Sequence, residues 1–373
     1  MKRVAITGSG LFTPEESISN DELVACYNAY VERYNREHAS AIAAGSDTAL
    51  APSSNEFIVK ASGIKSRHVV NKSGLLDLYQ MRPSIRTRGD EEPSLMAEMA
   101  IAAARQALDR AGRSAVDVDC VLVACSNMQR AYPAMAVEVQ HFLGSQGYGY
   151  DINVACASAA FGIQAAVDAV RQGNAKAALV LSPEVCSGHL NWRNRDCHFI
   201  FGDAATAVLV EPLESAASDL KFEVLGTRLQ TQFSNNIRNN FGFLNECEQE
   251  PRPWHDVLFH QEGRKVFKEV VPMVSELILA HLADLGIAPA DVRRFWLHQA
   301  NLGMNQLISR RVLGREPDAT EAPVILDEYA NTSSAGSVIA FHKYHADLKP
   351  GEVGVLCAFG AGYSAGSVVM RRV

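Results

Sequence analysis

The feature of this chain that most limits its possible folds is a repeat of about half its length. "ALDRAGRSAVDVDCVLVACSN" (Ala107 to Asn127) and "HLADLGIAPADVRRFWLHQAN" (His281 to Asn301) align without a gap. Leu108, Gly112, Asp117, Val118 and Asn127 then meet Leu282, Gly286, Asp291, Val292 and Asn301. Each copy reads as an amphipathic helix, a glycine stop, a short acidic turn and an apolar strand. A second pair of blocks follows in the same order. "ACASAAFGIQAAVDAV" then "GNAKAALVL" parallels "ANTSSAGSVIAFHKYH" then "GEVGVLCA", which sets Cys156 and Asn331 in equivalent places at nearly the same offset. Two ordered blocks at nearly one spacing point to a duplicated α/β unit. Continuous apolar strands such as "CVLVAC" and "AALVLS" suit a sheet buried on both faces. The expected architecture is a layered α/β sandwich of two pseudo-twofold-related halves. Residues 24–55 and 71–93 stand outside the repeat and read as insertions in the first half, either binding loops or plain surface excursions.

Composition narrows the function classes. With 373 residues, 47% hydrophobic and 21% charged, the chain can bury a full core without disulfide or metal staples. A net charge of −7 gives no global reason to expect nucleic acid. No apolar run approaches the ~18–20 residues of a membrane span, and the N-terminus does not read as a secretory signal. The eight cysteines form no CxxC and no Cys/His finger spacing. They read as reduced thiols of a cytoplasmic protein, with no metal expected and with Cys120, Cys125 and Cys357 as small core residues.

Three separated segments carry residue types capable of chemistry. In "NVACASAAFG" a strand runs into small residues and then a helix, so Cys156 stands at a helix start, where free N–H groups and the helix dipole favour a thiolate. An inert thiol at a tightly packed helix start is an equally good reading of that segment. In "WLHQAN" a strand from Arg294 to Leu297 ends in His298, at the end of a strand where open α/β sheets place ligand chemistry. By itself His298 reads better as a histidine bridging backbone groups. In "EYANTSSAG" Asn331 opens a second strand-to-helix elbow, and a simple helix cap would account for Asn331, Thr332 and Ser333. The small-residue loop from Phe359 to Ser367 can bring backbone N–H groups close to a substrate. No phosphate-binding loop is supported. "ITGSGLF" lacks the third glycine and the downstream acid of a dinucleotide site.

Taken in order, Cys in "VACASAAFG", His in "HQAN" and Asn in "ANTSSAGS" resemble the thiolase-like condensing enzymes, and more narrowly β-ketoacyl-acyl-carrier-protein synthase III. "GIKSRHVV" and "FGDAATAVLV" are similar to that family as well, and the resemblance covers nearly the whole chain apart from the two insertions. It implies a five-layered α/β/α/β/α thiolase-like sandwich, with a first half over residues 1–212 carrying the nucleophile and a second over 213–373 carrying His and Asn. It implies a catalytic trio of Cys156, His298 and Asn331. The backbone N–H groups of Cys156 and Ala361 would form the oxyanion hole, Ala361 standing where the family usually has glycine.

The implied reaction is a decarboxylative Claisen condensation of an acyl thioester, acyl-CoA or a carrier-bound donor, with malonyl-acyl-carrier protein. CoA and phosphopantetheine enter as substrate carriers and no cofactor is expected. Phe57 and Arg195 match positions that handle the CoA nucleotide, although Ala61 replaces a further arginine of that motif. Tyr132 and Phe359 would bound the acyl pocket, Tyr132 from the partner subunit of a homodimer. Lys268, Arg310 and Arg311, with Lys265 beside them, would dock the acidic carrier protein, although Gly303 replaces an arginine just after "HQAN". For each of these cations a solvated helix face is as good a reading. The insertions tilt the expected donor toward medium chain length. A long-chain head-to-head or specialised-metabolism condensing enzyme on the same trio, and a non-catalytic binding subunit of the same fold, are the alternatives.

Overall fold

The structure is a computed structural model and describes residues 2–373. Nine strands form one sheet: β1 (Val4–Phe12), β2 (Cys120–Ala124), β3 (Tyr148–Ile152), β4 (Ala178–Val185), β5 (Asp203–Pro212), β6 (Phe222–Ser234), β7 (Val292–Leu297), β8 (Val353–Gly360) and β9 (Gly362–Arg372). The helices that pack on it are α2 (Leu95–Ala111), α3 (Met135–Leu143), α4 (Ser158–Gln172), α5 (Gly263–Asp284), α6 (Leu302–Leu313) and α7 (Ala335–Lys343), while α1 (Asn20–Glu37) lies in a cap beside it.

The strand order is β7-β8-β9-β6-β1-β5-β4-β2-β3. Read outward from the β6–β1 seam, where Ala5 faces Glu223 and Ile6 faces Phe222, both directions run antiparallel, antiparallel, then parallel. The repeat is therefore present in three dimensions. β4 and β8 have the same length, and the offset that pairs Cys156 with Asn331 also pairs Ala178 with Val353 and Val185 with Gly360, their first and last residues.

Alternation along these strands explains the layers. Leu122 of β2 and Val180 of β4 pack inward on α4 and α7, together with Trp296 and Leu356 of the second half. Their neighbours Val121 and Leu179 pack outward on α2 and α3. In the second half Phe295 and Val355 pack outward on α5 and α6. Each of these strands thus buries both faces, as its unbroken apolar run requires, and with the sheet's two halves folded about the β6–β1 seam the stack reads helix, half-sheet, helix, half-sheet, helix.

Gly8 and Gly10 of "ITGSG" are close-packing positions. A Cβ at either would lie about 2 Å from a carbonyl oxygen of α2, that of Ala107 or Ala103. The insertion at 24–55 is largely helical. Its α1 starts in a capping box in which Ser19 and Glu22 satisfy each other's backbone N–H groups. Leu23, Tyr27 and Val31 of α1 form a fourth apolar cluster with Ile58, Trp192, Phe199 and Phe201, which joins this cap to the rim of the central cavity. Among the described residues, no helix is long and apolar enough to cross a membrane, and no group of three or more metal-ligating side chains is clustered.

Candidate active site

A cavity of about 930 Å³ opens where the two halves meet, and Cys156, His298, Asn331, Phe57 and Phe359 all line it. Cys156 stands in a one-turn 3-10 segment, Ala155–Ala157, that leads into α4. The bend is made at Ala155, which has φ +48°. It is held by Asn153 Oδ1, which accepts the Ala155 N–H at 3.1 Å, and by Ser158 Oγ, which donates to the Ala155 carbonyl at 2.7 Å. Gly360 at the end of β8 faces this bend. A Cβ there would fall 2.6 Å from Cys156 Cβ and 3.0 Å from its sulfur.

The thiol is not the resting thiolate that the helix start suggests. Burial, with the Glu184 carboxylate adding to it, pushes its pKa up to about 11. The Ser333 hydroxyl, which donates to the sulfur at 3.3 Å, and the backbone groups of Cys156 and Ala361 pull the other way. Desolvation of the charged form outweighs the local dipole.

His298 follows β7 directly, its N–H bonded to the Cys357 carbonyl at 2.8 Å. Its ring is fully enclosed, edge-on to Phe359 with centroids 5.2 Å apart, and burial pushes its pKa down to about 4. The imidazole is neutral at physiological pH.

Asn331 is reached from a short helix, Leu326–Tyr329, and not from a strand as the elbow reading predicts. Ala330 makes the bend with φ +56°. The Asn331 backbone bonds the Ile200 carbonyl and the Gly202 N–H at 2.9 and 3.1 Å. Its side-chain oxygen accepts the Ser333 N–H at 2.8 Å, which leaves the amide N–H groups for the cavity. α7 starts only at Ala335, so capping does not account for Asn331.

Sequence reading missed Glu184. This carboxylate at the end of β4 is 1% exposed and accepts from the N–H and hydroxyl of Ser126 at 2.9 and 2.6 Å. It also accepts the N–H of Ser334 at 3.1 Å and bonds the Ser334 hydroxyl, which ties the Asn331 loop to the first half. The signal was a lone acid in the apolar run "ALVLSPEV".

The remaining expected residues divide. Arg195 lies over the Phe57 ring at 4.0 Å, anchored by a 2.7 Å bond to the Pro52 carbonyl, so this pair is brought together at the cavity rim. Tyr132 is 84% exposed and lies off the cavity of its own chain. Lys268 on α5 and Arg310 and Arg311 on α6 are exposed on two helices of one cluster. Arg310 is paired with Glu316 at 3.0 Å, and Lys265 with Glu262.

Comparison with known proteins identifies the family and the fold. The family described as 3-oxoacyl-[acyl-carrier-protein] synthase III matches residues 150–231, and its C-terminal counterpart matches residues 282–372. A β-ketodecanoyl-[acyl-carrier-protein] synthase of Pseudomonas aeruginosa is 63% identical over 346 residues, 93% of this chain and 99% of that protein. A β-ketoacyl-[acyl-carrier-protein] synthase III of Brucella anthropi is 30% identical, covering 85% of this chain and 91% of its own. The crystal structure of 3-oxoacyl-[acyl-carrier-protein] synthase III from Aquifex aeolicus superposes with a TM-score of 0.76 at 24% identity, covering 99% of both chains, which bears on the fold. The chain belongs to the 3-oxoacyl-[acyl-carrier-protein] synthase III family and is a condensing enzyme of the thiolase fold.

Proposed function

We propose that this enzyme joins an eight-carbon acyl thioester to malonyl-acyl-carrier protein, giving a ten-carbon β-ketoacyl product and CO2. The observation that carries this reading is the meeting of Cys156, His298 and Asn331 on one cavity in a chain 63% identical to a β-ketodecanoyl-[acyl-carrier-protein] synthase. Malonyl contributes two carbons after decarboxylation, so a ten-carbon product requires an eight-carbon donor.

In the first half-reaction the Cys156 sulfur attacks the acyl carbonyl. The old carbon–sulfur bond breaks, and the thiol proton leaves with the departing thiol. A thiol held near pKa 11 beside a neutral imidazole gives up its proton as the carbonyl is attacked, not before. The N–H groups of Cys156 and Ala361 receive the oxyanion. In the second half-reaction malonyl thioester loses CO2, and neutral His298 with the Asn331 amide donates to the enolate oxygen. The carbanion then attacks the acyl group, and the Cys156 thiolate departs and is reprotonated.

Phe57 and Arg195 receive the nucleotide of a CoA donor, and Lys268, Arg310 and Arg311 receive the acidic carrier protein. A cytoplasmic homodimer fits this reading. β3 is the outer strand of the sheet, and the stacked, partly exposed Tyr148 and Tyr150 mark an open edge for a second copy. Tyr132 and Phe359 would then bound the acyl pocket from the two subunits. Turnover of acyl-CoA donors from two to twelve carbons with malonyl-acyl-carrier protein tests the reading. A maximum at eight is expected, and a maximum at two carbons overturns it.

A further inference from the structure

A second cavity, of about 310 Å³, lies at the β6–β1 seam and shares no residue with the cavity of the trio. It exists because the seam is short. The ladder between the two strands stops at Ile6 and Phe222, and beyond it Thr7 and Ser9 of β1 stand across a gap lined by Ser218 and Leu220. α2 and α7 pack on opposite faces of the sheet, yet Arg110 of α2 reaches His342 of α7 at this gap.

The polar groups here are arranged as donors. An arginine N–H can only donate, so the 3.1 Å contact from Arg110 makes His342 Nδ1 an acceptor, shared with the Ser9 hydroxyl at 3.0 Å. The ring proton is therefore on Nε2, which has no partner among the described residues. Arg110 uses one terminal nitrogen in this contact, and its other N–H groups remain for a ligand. Thr7 stands at the register shift between Ile6 and Gly8, 1% exposed, and its hydroxyl has no partner. Burial first, then Arg110, His345 and Lys343, push His342 down to about 3, so the charged groups acting on it are cations. Among the described residues no Asp or Glu lines the cavity. Asp109 and Asp219, beside it in sequence, are exposed, Asp347 is paired with Arg294, and Lys343 with Glu328. The remaining lining is apolar: Ile6, Phe222 and Phe341 are buried, the last two edge-on with centroids 5.4 Å apart.

We propose that this gap is a second ligand site, which takes a small organic carboxylate. The carboxylate meets the free N–H groups of Arg110 and the Nε2–H of His342, and the short apolar body lies on Ile6, Phe222 and Phe341. Two oxygens suit the guanidinium fork, and a cavity of this volume is at the small end of ligand pockets. A bare inorganic anion would leave the apolar half of the lining without a partner. A neutral molecule would leave Arg110 without a counter-charge. The proposal is independent of the reaction carried out at Cys156.

Calorimetric titration tests this with hexanoate, with 1-hexanol, which keeps the body and loses the charge, and with inorganic phosphate, which keeps a charge and loses the body. Wild type is expected to bind hexanoate most tightly. Arg110→Ala should weaken hexanoate by roughly ten- to a hundredfold, the scale of a lost charge-assisted contact, and Arg110→Glu should abolish its binding here. His342→Phe, which keeps a ring and loses the N–H, should weaken it as well. Arg110 is exposed and remote from the trio, so its variants should fold. Hexanoate that entered the larger cavity alone would bind wild type and both Arg110 variants alike, and that result overturns the site, as does no binding to wild type. Equal affinity for 1-hexanol overturns the anionic ligand, and equal affinity for phosphate overturns the apolar body.

Discussion

Ser333 belongs to the second half of the chain and Cys156 to the first, and the hydroxyl of one donates to the thiol of the other at 3.3 Å. Ser333 also supplies the N–H that orients Asn331. A single residue thus touches both the sulfur and the amide of the trio. Because its hydroxyl lowers the pKa of a thiol that burial holds near 11, Ser333→Ala should raise that pKa further and slow acylation at neutral pH. The expected loss is roughly two- to tenfold, the scale of one neutral hydrogen bond. Iodoacetamide labelling of Cys156 against pH reads it directly. The wild-type rate should climb throughout the range from pH 7 to about 10, and the variant's curve should lie to its alkaline side.

Loss of the nucleophile and loss of the enolate donors should separate. Cys156→Ala should abolish acyl transfer. His298→Ala and Asn331→Ala should leave acylation of Cys156 largely intact and cut malonyl decarboxylation by roughly a hundred- to a thousandfold, the usual effect of one lost oxyanion donor. Radiolabel retention on Cys156 and CO2 release measure the two steps independently. Equal damage to both would refute the division of roles.

Gly360→Ala places a methyl 2.6 Å from Cys156 Cβ, so either Cys156 or the end of β8 must move. Activity should fall far more than stability, because a displacement of about an ångström misaligns the attack. A folded variant with wild-type turnover would show that the sulfur tolerates the shift.

Acid should destabilise the fold well above the carboxylate range. His189, His198, His281 and His298 are each pushed by burial to about 4, and His342 to about 3. In the unfolded chain they titrate near 6.5, so between about pH 6.5 and 4 the unfolded state binds more protons. The stability these groups contribute is complete above about pH 6.5 and is lost as pH falls toward 4. Asp203, raised by burial to about 6, and Asp151 and Glu184, raised by burial in the same direction, oppose this over part of the window, while His345, lowered by burial, adds to it. Urea midpoints near pH 7.5 and 4.5 should differ clearly in favour of the higher pH.

Much of this could be read before the fold was seen. The offset found in the letters returns as the matched ends of β4 and β8, because a duplicated hydrophobic pattern must bury itself in the same way twice. The strand that ends at Leu297 and delivers His298 was legible from its apolar run, whereas a role for that histidine came only from the family resemblance. The state of the Cys156 thiol was not. Local reasoning sees a helix start, whereas the pKa follows from desolvation, which exists only once the two halves close on each other. Glu184 escaped for the same reason. Its partners, Ser126 and Ser334, are 58 and 150 residues away in the chain. Tyr132 is exposed on its own chain, and the acyl-pocket role proposed for it would need a second molecule.

Ala155 and Ala330 occupy equivalent places in the two halves, and both bend the chain through the left-handed region immediately before a residue of the trio. For an alanine that conformation is uphill, and it persists only where the surroundings impose it. What the two halves have in common at the site is therefore a shape of the backbone and not a side chain. One copy of the bend presents a thiol and the other an amide. The repeated unit thus provides two seats of one curvature facing one chamber, each with its own occupant.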